Sequence, residues 1–204
     1  VGTRTVTVDL DNVKWFGTDQ GVLRFDGNRW DLFTVKDGLP DNGIICLAVD
    51  KKNMKWFGTV KGVTSFDGLS WRTYTSADGI PSGTVRAITA GPDGTVWVSV
   101  GNGLTRFHDG GWKSVVLGEM PYVDFIVDGN NKLFTIFPTG RVNGLLSWDG
   151  ETVRLYRGSN EIGTSAISGI AVDRNGMKWA IASVNDGGGF FSFDDRSGDM
   201  ISSR

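Results

Sequence analysis

The chain has 204 residues, a formal net charge of −2, 39% hydrophobic and 22% charged residues. That balance excludes an extended disordered chain, and near-neutrality argues against a general nucleic-acid binder, which needs a clustered basic surface to displace counterions. Thirty glycines and a single cysteine, Cys46 inside an apolar run, predict many turns, no internal disulfide and a buried thiol.

No apolar run approaches the roughly 18 residues of a membrane span, so direct membrane insertion is not expected. Val1 does not open a signal peptide, and any targeting segment is expected to be absent from this chain, either removed or left off.

The first conspicuous motif is Trp-Phe-Gly-Thr at Trp15–Thr18, and it returns 41 residues later at Trp56–Thr59. Trp97-Val98-Ser99-Val100 follows at the same interval, and weaker copies stand at Phe134-Thr135-Ile136-Phe137 and Trp179-Ala180-Ile181-Ala182. Self-similarity at this period is the mark of a repeat architecture. First strands are expected at Thr5–Asp9, Ile44–Asp50, Val85–Ala90, Tyr122–Asp128 and Ile167–Asp173. Their equivalent positions, Val6, Leu47, Ile88, Phe125 and Ile170, fall on one face with Val8, Val49, Ala90, Val127 and Val172. The intervening residues are small or apolar too, which predicts innermost strands buried on both faces.

Within the second copy, three further runs follow: Met54–Thr59, Val63–Phe66 and Trp71–Thr75, parted by polar or glycine-containing turns. Third strands end in an aromatic residue and a turn, as in Phe25-Asp26-Gly27, Phe66-Asp67-Gly68 and Trp148-Asp149-Gly150. Asp-Gly supplies the positive φ of a tight hairpin. A fourth strand opens at Trp30, Trp71 or Trp112, and the last copy is expected to end in one over Asp199–Arg204.

The predicted fold is therefore all-β: a β-propeller of five four-stranded antiparallel blades, with a piece of a larger propeller as the alternative. It is read as a single domain, 1–204, with blades at about 1–37, 38–78, 79–118, 119–160 and 161–204. One such sheet cannot bury both faces alone, so stacking holds the fold together. Trp15, Trp56, Trp97 and Trp179 are accordingly expected to pack between blades.

With Asp37-Gly38-Leu39-Pro40 and Asp78-Gly79-Ile80-Pro81 added to the Trp-Phe-Gly-Thr and Phe-Asp-Gly motifs, the repeat resembles the two-component regulator propeller repeat. The resemblance implies an extracytoplasmic, periplasmic or extracellular bacterial module of the kind that senses ligands for hybrid sensor kinases, many of which respond to carbohydrates. It transfers no catalytic residue, because the motif residues are scaffold. Antibiotic-cleaving propeller lyases are more distantly similar, but their histidine-dependent chemistry has no counterpart in this sequence.

Ligand contacts are expected on the side of the turns after strands two and four, since loops on a rigid frame carry binding residues. There the second-to-third-strand turns bring Asp19, Gln20, Lys61 and Asn102. The same turns lengthen to Pro138–Gly144 and Val184–Gly189, adding Arg141, Asn143, Asn185 and Asp186. Arg4, Arg86 and Asp124 begin first strands near the same mouth. This mixed set suits a neutral polyhydroxylated ligand or a peptide.

No cofactor and no metal site are predicted. His108, the only histidine, falls in a third-to-fourth-strand turn on the opposite side, which argues against acid–base or metal chemistry. The acidic turns, such as Asp9–Asn12 and Asp173–Gly176, lack EF-hand spacing and read as hairpin chemistry. Gly187-Gly188-Gly189 lacks the Lys-Ser/Thr and helix of a phosphate loop.

Three functions follow. The first is non-catalytic recognition of a carbohydrate or peptide. The second is an assembly platform, self-associating through its terminal blades. The third is a glycan hydrolase or lyase, for which only Asp19, Asp124 and Asp186 offer carboxylates at the mouth.

Overall fold

A computed structural model describes residues 2–115, 124–139, 142–156, 166–184, 187–193 and 200–203. These residues form five antiparallel sheets of four strands, each a meander in chain order. The only helical element among them is a short 3-10 turn, Ser76–Asp78, which the repeat pattern did not announce. The chain divides into two compact units, Val1–Glu119 and Met120–Arg204.

The first unit holds three sheets. The first is β1 (Thr3–Val8), β2 (Lys14–Thr18), β3 (Val22–Phe25) and β4 (Trp30–Phe33). The second is β5 (Cys46–Val49), β6 (Lys55–Thr59), β7 (Gly62–Phe66) and β8 (Trp71–Tyr74). The third is β9 (Val85–Ala90), β10 (Val96–Val100), β11 (Gly103–His108) and β12 (Gly111–Val115). The first strands β1, β5 and β9 lie side by side in sequence order, so successive sheets stack face to face.

Cohesion comes from aromatic rings crossing each interface. Trp15 packs on Phe57 and Phe66 of the next sheet, with centroids 6.1 and 5.9 Å apart. Phe33 joins it on Phe66 and Trp71 at 5.7 and 5.4 Å. One sheet on, Trp56 and Tyr74 repeat the contact with Phe107 at 5.1 and 5.5 Å. Such offset and tilted pairs suit the ring quadrupole and add to simple burial. Trp15 and Trp56 are each 2% exposed, as expected of inter-sheet packing, and Trp97 is 4% exposed.

The Asp-Gly-Leu-Pro segment has a structural task. Asp37 accepts hydrogen bonds from the Thr34 amide and hydroxyl at 2.8 and 3.0 Å. Gly38 has φ +123°, and a side chain there would begin 2.8 Å from the Trp71 Cβ, so only glycine fits. Leu39 then drops into the interface. Asp78 and Ile80 repeat the arrangement one sheet later, where Thr75 and Asp78 form a capping box on the 3-10 turn.

The second unit holds the sheets β13 (Phe125–Val127), β14 (Leu133–Thr139), β15 (Val142–Trp148), β16 (Val153–Tyr156) and β17 (Ala166–Val172), β18 (Lys178–Val184), β19 (Gly187–Phe193), β20 (Met200–Ser203). Its core joins Phe134, Ile136, Leu145 and Tyr156 of one sheet to Ile167, Ile170 and Ala180 of the other.

Three expectations need correcting. The first strands are not uniformly buried: Val6 and Val8 of β1 are 60% and 50% exposed, because no sheet of the first unit lies on that side. Trp179 is 42% exposed, unlike its three counterparts. The stretch Pro138–Gly144 is not a loop inserted between strands. Pro138 faces Asn143 and Thr139 faces Val142 in register, so the extra residues lengthen a hairpin. Val184 and Gly187 likewise pair at the end of the longer β18–β19 hairpin.

Candidate functional site

In the first unit the β2–β3, β6–β7 and β10–β11 turns and the starts of the first strands share one end. The Ile44 amide donates to the Thr18 carbonyl at 2.9 Å, which fixes the start of the second sheet against the end of β2. The turns owe their shape to the last residue of Trp-Phe-Gly-Thr. The Thr18 hydroxyl donates to the Gly21 carbonyl at 2.8 Å and accepts from the Gln20 amide at 3.0 Å. Thr59 does the same with Gly62 and Lys61. The threonine of the motif thus shapes the turn that presents these side chains, while its tryptophan, at Trp15, packs on the next sheet.

Five of the candidate residues gather at this end: Asp19, Gln20, Lys61, Arg86 and Asn102, all exposed. Asp19 has a local task, since its carboxylate accepts from the Gly2 amide at 3.1 Å. Lys61 bridges to Asp41 at 3.0 Å. The Gly43 amide and the Lys61 ammonium together hold the Asp41 carboxyl below the usual range, against a smaller opposing effect of burial. Arg86 sits where the β9–β10 register shifts, between the Val85–Val100 and Ala87–Ser99 pairs. An extra residue of this kind re-aims a side chain out of the alternating pattern. A matching shift in β1 falls at Arg4, between the Thr3–Thr18 and Thr5–Gly17 pairs.

In the second unit Asp124 aligns one step after the level of Arg86, just before Phe125. It is half-buried, and its carboxyl accepts a hydrogen bond from the Phe125 amide at 2.9 Å, with the Ile170 amide also favouring its charged form. Burial pushes its pKa up, and these hydrogen bonds only partly offset that. Asn143 lies on β15 opposite Pro138. Arg141, Asn185 and Asp186 lie outside the described residues.

At the hairpin end of each unit that carries the strand-one-to-two and strand-three-to-four turns, the acidic residues do close hairpins, and they also take part in indole and ion-pair contacts that sequence reasoning passed over. Asp9 closes the first hairpin by accepting from the Asp11 and Val13 amides and, at 2.8 Å, from the Trp15 indole. Asp50 and Asp173 repeat this with Trp56 and Trp179. Lys55 of the second sheet reaches Asp9 at 3.3 Å, and Lys178 reaches Asp128 at 3.1 Å. All four side chains are at most 7% exposed. The signal was visible as a Lys preceding Trp15, Trp56 and Trp179 and an Asp ending four of the five first strands, at Asp9, Asp50, Asp128 and Asp173, but sequence gave no reason to pair them across sheets.

Clefts follow the sheet interfaces at this end. One of about 660 Å³ lies between the first and second sheets, lined by Asp9, Trp15, Asn53, Lys55 and Trp71 among others. Smaller ones of about 280 and 450 Å³ lie between the second and third sheets and within the second unit. In the largest of these three, polar groups pair with one another: Asp11 with Asn53 at 2.6 Å, and Arg24 with Asp31 at 2.7 Å. His108 stands at the end of β11 beside one cleft, its Nδ1 2.9 Å from the Thr95 hydroxyl.

No family model matches the chain, and no curated protein matches it. Solved structures do. The extracellular domain assigned to the hybrid two-component system BT3049 of B. thetaiotaomicron superposes with a TM-score of 0.71 at 20% identity, over 92% of this chain. Virginiamycin B lyase from Staphylococcus aureus superposes with a TM-score of 0.79 at 16% identity over 100% of this chain. PorZ, a surface component of the type-IX secretion system of Porphyromonas gingivalis, gives 0.67 at 19% identity over 100%. The chain spans 27%, 70% and 32% of these proteins respectively. At such identities the likeness is one of fold. The chain is an all-β protein of propeller blades, and no helix among its described residues is long and apolar enough to cross a membrane.

Proposed function

We propose that the chain is a non-catalytic recognition module of the extracytoplasmic sensor type, periplasmic or extracellular in a bacterium, which takes a polyhydroxylated ligand such as an oligosaccharide. The observation that carries this reading is the end of the first unit where Gln20, Lys61, Arg86 and Asn102 are exposed together, with Arg86 turned out by a register shift. Neutral amides, a guanidinium and a carboxylate-tied ammonium can donate to and accept from sugar hydroxyls without demanding an anion. The fold likeness to an extracellular two-component domain and the repeat motifs support the same class. The carboxylates of the larger clefts hold turns and lysines in place, which leaves them poorly suited to acid–base work.

Isothermal titration against a panel of bacterial and plant oligosaccharides tests the proposal. One glycan class should bind with no turnover, and Arg86→Ala or Asn102→Ala should weaken it at least about tenfold, about 1.4 kcal/mol. Binding of no glycan by the folded chain, or product release from one, overturns it.

A further inference from the structure

The outer face of the first sheet is built like a blade interface, yet in the first unit nothing covers it. The strand register places Val6, Phe16, Leu23 and Leu32 in one row across this face and Val8, Lys14, Phe25 and Trp30 in the next. The corresponding rows of the second sheet begin Leu47, Phe57 and Val49, Lys55, Phe66, Trp71. There the face is covered by the first sheet, and Leu47 and Phe57 are 9% and 0% exposed.

The ring geometry is the same in both sheets. Trp71 stacks on Phe66 at 4.2 Å and tilts on Phe57 at 5.5 Å. Trp30 stacks on Phe25 at 4.5 Å and tilts on Phe16 at 5.5 Å. Trp30, Val6, Val8 and Leu32 nevertheless stand at least 50% exposed. A contiguous apolar patch of this make-up is the mark of an interaction surface.

Lys14 specifies the partner further. It occupies the register position of Lys55 and Lys178, each of which binds the aspartate ending the first strand of the preceding sheet. Lys14 instead folds onto its own turn, with Nζ 2.7 Å from the Asn12 carbonyl. The face thus asks for a sheet bearing an aspartate and, six residues on, a tryptophan hydrogen-bonded to it, as Asp9 and Trp15 are.

This chain carries such a surface on its last sheet. Asp173 accepts from the Trp179 indole at 3.2 Å, and Trp179 and Ile181 are 42% and 50% exposed. We propose that the outer face of the first sheet docks the last sheet of a second copy of this chain, with Lys14 paired to the partner's Asp173 and the partner's Trp179 seated on Phe16, Phe25 and Trp30. The contact is heterologous, first sheet to last, so it extends or closes a chain of copies rather than forming a symmetric pair.

Sedimentation velocity over about 1 to 100 µM tests this, since association that binds the folded form is concentration-dependent. The expected mass rises above one chain, and Lys14→Asp weakens association at least about tenfold. Asp173→Lys alone should do the same, and the two together should restore association. Leu32→Asp, on the exposed face, provides a second variant that leaves the interior untouched, with near-ultraviolet circular dichroism confirming that each variant is folded. A single-chain mass at every concentration overturns the proposal. So does association that neither Lys14→Asp nor Leu32→Asp weakens. Neither outcome bears on glycan binding, which is read at the turns of Lys61 and Asn102.

Discussion

Lys55 Nζ lies 3.3 Å from Asp9 Oδ2 across the interface of the first two sheets, and the two side chains are 7% and 2% exposed. The ammonium also sits 5.5 Å from the Trp15 ring centroid, so one lysine touches both the acid and the indole that the acid holds. A buried pair of this kind fixes how one sheet registers on the next rather than simply adding stability, because desolvating both charges cancels much of their attraction.

Removing one partner alone should therefore be harmful. Lys55→Met keeps the apolar stem but strands Asp9 with only its neutral donors. Losing a hydrogen bond to a charged group costs about 1.5–3 kcal/mol. Urea unfolding should show that loss, and the double variant with Asp9→Asn should recover part of it.

Acid should weaken the same interface. Burial raises the Asp9 pKa, but the Trp15 indole, the Val13 amide, the Lys55 charge and the Asp11 amide together bring it below 3.8. A carboxyl depressed in the folded state contributes stability that is present above its unfolded pKa and lost as pH falls through the folded one. Thermal melts should accordingly lose stability from about pH 4 downward. Asp9→Asn should be less stable than the parent at neutral pH, with the gap closing in that acidic window.

Asp124 should behave in the opposite sense. Its pKa is raised above 3.8, chiefly by burial. Its favourable contribution is complete below the unfolded pKa and disappears as pH rises through the folded one. Asp124→Asn keeps an oxygen to accept the Phe125 amide but carries no charge. It should melt higher than the parent at pH 7 and indistinguishably from it near pH 3, by differential scanning calorimetry.

The glycine of Trp-Phe-Gly-Thr should tolerate no side chain. A Cβ on Gly58 would lie 2.5 Å from both Cys46 Sγ and Val85 Cγ1, and one on Gly17 2.5 Å from Thr5 Cγ2. Gly58→Ala should destabilise the first unit by roughly 1–3 kcal/mol through overpacking. The Cys46 thiol beside it, raised to about 12 by burial, should stay unreactive to iodoacetamide at pH 8 in the parent and become alkylated as the interface loosens.

How much of this was legible depended on the range of the interaction. Four strands per copy, the Asp-Gly hairpins and the inter-sheet role of Trp15 and Trp56 could be read directly, because hairpins are local and the repeat displays the same positions several times. The lengthened turns were misread at Pro138 and Asn143 because extra polar residues look alike in a loop and in an extended ladder. The grouping of Gln20, Lys61, Arg86 and Asn102 at one end followed from strand direction alone. The half-burial of Asp124, which lies in the second unit one register step after the level of Arg86, was not legible, since a single step turns a side chain to the other face.

The sequence by itself determined the unit: a meander of four strands with aromatic faces, turned by aspartate and glycine, repeated along the chain. Local hydrogen bonding and period-two burial suffice for that. Only the tertiary structure decided which repeated residues are spent and which are available. Lys55 and Trp15 vanish into an interface, while Lys14 and Trp179, at matching positions, do not. Identical repeats acquire different roles because burial depends on whether a neighbouring sheet is there to exclude water, and nothing in a local sequence encodes its neighbour.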